Sequence, residues 1–203
     1  MLEQFEYRAA GSDSVLRWDG EVWVGTDTNR LWVKSEGDVD RHGDIRDGRQ
    51  ELLYDRPITS FFDLQAGVRY DVDSLQDRAW VAFGVEGLAP HFVRLSATVY
   101  GADGGRFAAR VEASHDARIT QRLILQTQFE INAYSRDDLA RRIGSGISDI
   151  DAGVRLRYEI RRKFAPYLGL SYQRTFSQTA QYARAAGESV RTLSLLIGIR
   201  SWF

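Results

Sequence analysis

The chain has 203 residues with no cysteine, 3 prolines, 18 glycines and 12% aromatic residues, and its 27 basic side chains meet 28 acidic ones. A net charge of −1 leaves no global field to recruit nucleic acid, and the absence of cysteine excludes a disulfide framework or a thiolate metal site. The length suits one domain, and no apolar run reaches the roughly 18 residues of a helical membrane span.

In chain order, the recurring pattern is period-two alternation, the signature of strands. It runs through "EQFEYRA", "VLRWDGEVWVG", "RLWVKSEGD", "QELLYDR", "FFDLQAGVRYD" and "RAWVAFGVEGL". It continues through "FVRLSATVYG", "RFAARVEASHD", "RLILQTQFEINAY", "IDAGVRLRYEI", "APYLGLSYQRTF" and the terminal "TLSLLIGIRSWF". That gives about 12 strands, or about 10 if the weakest segments drop out, each long enough to cross a bilayer at a tilt. The opening "MLEQFEYRAA" is charged and alternating, unlike a signal peptide, so an exported chain would be a mature or trimmed form with Met1 an added start.

The connections sort by side. The odd ones include the long, polar "VDRHGDIRDG", "SRDDLARRIGSG" and "QTAQYARAAGES", whereas the even ones are as short as "TDTN", "RPIT" and "APH". Outer-membrane barrels have short periplasmic turns and longer outer loops; a soluble sandwich has no reason for that asymmetry. The expected fold is therefore all-β: a transmembrane, antiparallel, up-and-down barrel over residues 1–203. In the last strand, Leu193, Leu195, Ile197, Ile199 and Phe203 share one face, which would meet lipid. That strand would close against the first, with Phe203 resembling the C-terminal aromatic insertion signal of outer-membrane proteins.

The same parity sends Glu36, Glu51, Asp63, Glu86, Glu112, Glu130, Asp151 and Glu159 toward the lumen, together with Lys34, Arg69, Arg110, Arg155, Arg157 and Arg200. Two readings compete. The carboxylates line a path that draws in a cation and releases it, or acids and bases pair and fill a polar interior. The first requires one wall to be acid-rich. Trp18, Trp23, Trp32, Tyr100 and Tyr134 are candidates to narrow the lumen.

Several stretches resemble the copper resistance protein B family (CopB/PcoB) of Gram-negative outer membranes: "NRLWVKSEGD", "ELLYDRPITSFFDLQAGVRYD", "WVAFGVEGLAPHFV", "ATVYGADGGRFAARVEASHD", "TQRLILQ", "INAYSRDD" and "GVRLRYEIRRKFAPY". The resemblance spans nearly the whole chain. It implies an outer-membrane barrel of copper resistance that binds or conducts copper ions, for efflux, with outer-membrane lipid, copper and a periplasmic copper protein as partners. The Met- and His-rich segment usual in the family is absent, since Met1 is the only methionine and the histidines are His42, His91 and His115.

No soft copper(I) site emerges, because thiolate and thioether ligands are missing. His42, in a loop with Asp38, Asp40, Asp44 and Asp47, and His91, in the "APH" turn, are the metal-ligand candidates, each weighed against a solvated loop. His115 reads as structural. No resident cofactor is expected, copper being the bound or transported ligand. The alternatives from other classes are a general or ligand-binding receptor barrel, and an outer-membrane lipid enzyme. Catalysis is disfavoured because Ser114 and His115, adjacent on a strand, point to opposite faces.

Overall fold

The computed structural model describes the whole chain apart from Ser12, Ser74, Arg162 and Phe203, and only the backbone at Asp13. The insertion signal expected at Phe203 thus lies outside the described residues. Twelve strands form one closed antiparallel sheet: β1 (Leu2–Ala10), β2 (Asp13–Gly25), β3 (Arg30–Val39), β4 (Ile45–Pro57), β5 (Phe62–Asp73) and β6 (Arg78–Ala89), then β7 (Val93–Ala102), β8 (Arg106–Arg118), β9 (Leu123–Tyr134), β10 (Gly146–Tyr158), β11 (Phe164–Thr175) and β12 (Arg191–Ser201). Each strand pairs with its chain neighbours, and β1 pairs with β12 through Tyr7↔Ile197 and Arg8↔Leu196. Closure leaves no sheet edge, so every strand can lie in lipid with its backbone groups paired.

The outer face carries the apolar set. Leu193, Leu195 and Ile197 of β12 are exposed, as are Val22 and Val24 of β2 and Val81 and Phe83 of β6. Polar and charged side chains fill the inside, where Glu6, Asp71, Arg155 and Arg157 are among the most buried residues in the chain. This inversion of the soluble pattern is what a lipid-facing wall requires. The short turns have a local cause. In the β4–β5 and β8–β9 turns, Thr59 and Thr120 each accept two backbone N–H groups, from Phe61 and Phe62 and from Arg122 and Leu123. A threonine hydroxyl that satisfies two turn amides fixes the reversal without a long loop.

Three sequence readings need correction. Trp18 shares the outward parity of Val22 and Val24. Its indole N–H donates to Ser35 Oγ at 3.0 Å, and its ring covers Gly37, so it faces lipid and does not narrow the lumen. Strand β4 begins at Ile45 and so takes in residues read as turn. Where "QTAQYARAAGES" was read as a long polar connection, most of it belongs to a helix, α1 (Ser177–Ala185). Ala180 and Ala183 are its buried side, and it ends at Gly187 in the left-handed region, where Glu188 N–H reaches the Ala183 carbonyl.

Candidate functional site

The lumen divides into three zones. The first is a closed polar network beside the seam where the ends of the chain meet. Glu6 on β1 accepts hydrogen bonds from Arg8 Nε, Arg155 Nε, Arg155 Nη2 and the Tyr167 hydroxyl at 2.7–2.9 Å. Arg155 also reaches Gln128 and Gln4, and Arg8 reaches Asp151 at 2.9 Å. Almost every polar atom here is spent on another, so this side of the lumen is structural filling.

The second zone is aromatic and lies toward the long loops. Leu53, Trp80, Ala82, Tyr100 and Ala108 form a buried cluster inside the barrel, flanked by Trp32 and Tyr134. Arg69 lies 4.5 Å from the Tyr100 ring and 5.8 Å from that of Trp80. Of the aromatics expected to narrow the lumen, Tyr100 and Tyr134 do so here, while Trp32 flanks the cluster from the short-turn end, where it pairs with Trp23 and the two tilted rings lie 6.1 Å apart.

Between these zones, from mid-barrel toward the short-turn end, is a cavity of about 160 Å³ lined by residues of β1–β9. Seven of the lining side chains are carboxylates and four are basic. Glu36 and Glu112 are held by Arg110, Glu86 by Lys34 at 2.5 Å, and Glu51 accepts the Tyr100 hydroxyl at 2.9 Å. Glu3 is paired with Arg200 at 2.7 Å. Asp19 and Glu21, the other two, make no ion pair among the described residues. The bases are Lys34, Arg49, Arg94 and Arg110, so carboxyl groups outnumber bases on the cavity wall. Its donors are oxygens of carboxylates, amides and hydroxyls; none of the three histidines is among them. Among the described residues, no group of three or more His, Asp or Glu is arranged to hold a metal ion.

The other expected site residues have distinct places. Asp63 is held by Arg30 at 3.1 Å near the short turns. Glu130 faces the lumen but is clasped by Arg110 at 3.0 Å and Arg17 at 3.8 Å. Asp151 belongs to the seam network. Glu159 lies just past the end of β10, where its backbone N–H donates to Arg122 O. Asp19 and Glu21 were not among the expected lumen residues, although they alternate with Arg17 on one face of β2; the pairings Asp19↔Glu36 and Glu21↔Lys34 place them beside residues that were.

His42 is almost fully exposed in the β3–β4 loop. The acids expected around it do not converge. Asp40 turns its carboxylate onto the backbone N–H groups of Asp44 and His42, which hold its carboxyl below the usual range. Asp38 pairs instead with Arg17 at 3.6 Å inside the barrel. His91 sits in the β6–β7 turn with φ 64, and His115 has the outward parity on β8, opposite Val93.

The family described as "Copper resistance protein B precursor (CopB)" matches residues 1–203. The chain belongs to the copper resistance protein B family. Copper resistance protein B of Escherichia coli is 38% identical over 203 residues, covering 100% of this chain and 68% of that protein. The copper resistance protein B homolog of Pseudomonas syringae pv. tomato (strain ATCC BAA-871 / DC3000) is also 38% identical, with 100% and 69% covered. Among solved structures, the NanC porin is similar at a TM-score of 0.65 and 12% identity, over 100% of both chains. The KdgM porin is similar at 0.59 and 10%, over 100% of this chain and 99% of that one. At such identities the porins speak to the fold alone: a 12-strand, porin-like barrel. As a copper resistance protein B barrel, the chain has a role in copper resistance and is placed in the outer membrane. Family and fold alike suggest a non-enzymatic protein.

Proposed function

We propose that this member of the copper resistance protein B family takes copper ions into its lumen from the periplasmic, short-turn side, as a step in efflux. The observation that carries this reading is the cavity itself, where carboxylates outnumber bases seven to four and Asp19 and Glu21 are left without ion-pair partners among the described residues. A confined excess of one charge concentrates the opposite ion. Oxygen donors without sulfur or imidazole suit copper(II) held weakly, and weak holding is what allows release. The apolar outer face would be solvated by outer-membrane lipid, and a periplasmic copper protein would deliver the ion to the short-turn end.

The test is copper flux through the purified barrel in liposomes, against zinc and sodium, repeated with Asp19→Asn, Glu21→Gln and Glu112→Gln combined. Copper flux exceeding that of sodium, and falling about tenfold or more in the variant, is expected for electrostatic concentration of the ion. Copper flux equal to sodium flux and indifferent to these substitutions would end the proposal. Glu130→Gln is a poor probe, because Glu130 is bound up with Arg110 and Arg17.

A further inference from the structure

The long-loop mouth is crossed by the β9–β10 connection, residues 135–145. Two of its side chains turn back into the barrel and are nearly buried. Arg141, 6% exposed, places Nη1 2.9 Å from Asp71 Oδ2 and Nε 3.4 Å from Asp73 Oδ2. Asp138 lies 2.6 Å from Arg78 Nη2. The contacts land on β5 and β6, four and three strands around the wall from β9, where the loop begins.

Asp71 is shared between this loop and the aromatic zone beneath it. It is fully buried and also accepts Arg69 Nε at 2.5 Å, Arg69 Nη2 at 2.9 Å and Trp80 Nε1 at 2.9 Å. One carboxylate therefore orients the arginine and indole that narrow the lumen and ties down the loop above them. The gap between loop and aromatic zone, lined by Trp80, Tyr134, Arg141 and Ile143, is only about 10 Å³, room for one water at most. From outside the wall, α1 supports the loop: Thr179 Oγ1 accepts Gly144 N–H at 2.9 Å and lies 3.2 Å from Ser148 Oγ.

The loop is held by ion pairs and hydrogen bonds rather than by a core. Its Leu139 is 74% exposed, and Arg142 adopts φ 56, a conformation that costs energy in a residue with a side chain. A segment with little apolar burial of its own belongs to the part of a fold that opens locally at the lowest cost.

We propose that residues 135–145 are a gate for the lumen, latched shut by Arg141 on Asp71 and by Asp138 on Arg78, so that the closed barrel admits ions to its cavity from the short-turn end only. The proposal rests on reading the lumen as an ion path, and adds which end is closed and what releases it.

Because the chain has no cysteine, Thr98→Cys places one reporter thiol in the cavity lining. The probe is a cationic, membrane-impermeant methanethiosulfonate, applied to either face of proteoliposomes of known orientation. With the latch intact, modification is expected from the short-turn side alone. With Arg141→Gln and Arg78→Gln added, modification from the long-loop side is expected to rise about tenfold or more, as the closed population falls. Rates are read only on barrels that keep their compact, unheated migration on gels. Thr179→Val, which removes the hold of α1 on Gly144 of the loop and its contact with Ser148 at the start of β10, is expected to move the rate in the same direction. Modification from the long-loop side with the latch intact would overturn the proposal, as would an unreactive thiol in folded latch variants. No copper enters this readout, so failure of copper flux and failure of the gate are separate results.

Discussion

Glu6 on β1 and Arg155 on β10 form a two-point ion pair inside the barrel, with Nε to Oε2 at 2.8 Å and Nη2 to Oε1 at 2.9 Å. The pair spans three strand boundaries, including the β1–β12 seam where the ends of the chain meet. Neither residue has appreciable contact with solvent. Removing one partner strands the other charge, which typically costs about 3–5 kcal/mol, whereas replacing both with apolar side chains of similar size is often neutral. Glu6→Ala should therefore lower the urea midpoint of the liposome-inserted barrel sharply, and Glu6→Leu with Arg155→Met should recover most of the loss. Equal destabilisation by the single and double variants would show that Arg8 and Tyr167, not Arg155, are the partners that matter.

On the lipid side, the Trp18 indole N–H has Ser35 Oγ as its partner. Away from water, Ser35→Ala leaves that donor unsatisfied, at a cost of about 1 kcal/mol. Trp18→Phe removes donor and need together, so Ser35→Ala should cost little in a Trp18→Phe background. The double-mutant cycle, read from unfolding midpoints, measures the coupling.

How much of this was legible depends on the distance over which the information is written. Period two, the short and long turns and the outward Leu193, Leu195 and Ile197 are local, so the strands and their faces could be read directly. Trp18 and Trp23 have opposite parity, so only one of them can face the lumen, and the exposed Val22 and Val24 on the parity of Trp18 show that Trp18 is the one that faces out. Helix α1 was hidden in a stretch read as a polar connection, although its alanines and Gly187 were a usable signal. The cavity could not be read at all. It exists because some charges find partners far along the chain, as Arg155 finds Glu6, while Asp19 and Glu21 do not.

Gly67 marks a limit on the wall itself. A Cβ there would sit 2.0 Å from the Leu52 carbonyl oxygen and 2.9 Å from Leu53 Cα, contacts with backbone that cannot swing aside. Gly67→Ala is expected to destabilise the barrel by about 3 kcal/mol or more through forced separation of β4 and β5. Gly101→Ala is the matched control, since its nearest neighbour would be the Phe107 ring at 3.7 Å. Its change in unfolding midpoint should correspond to no more than about 0.5 kcal/mol.

The exposed histidines and the lumen carboxylates make opposite predictions for copper. His42 stands in solvent with Asp40 beside its ring at 3.6 Å, and Asp40 is engaged by two backbone N–H groups. His91 lies on a tight turn with no group of metal-binding residues around it among the described residues. His42→Ala with His91→Ala should thus leave copper(II) binding to the purified barrel unchanged in calorimetry. Asp19→Asn with Glu21→Gln should weaken it by a factor of about ten or more, because these are the two cavity carboxyls without an ion-pair partner among the described residues. Binding of this electrostatic kind should also fall as ionic strength rises, less steeply than for exposed charges because the wall shields the site. Loss of binding in the histidine variant would move copper recognition from the lumen to the loops.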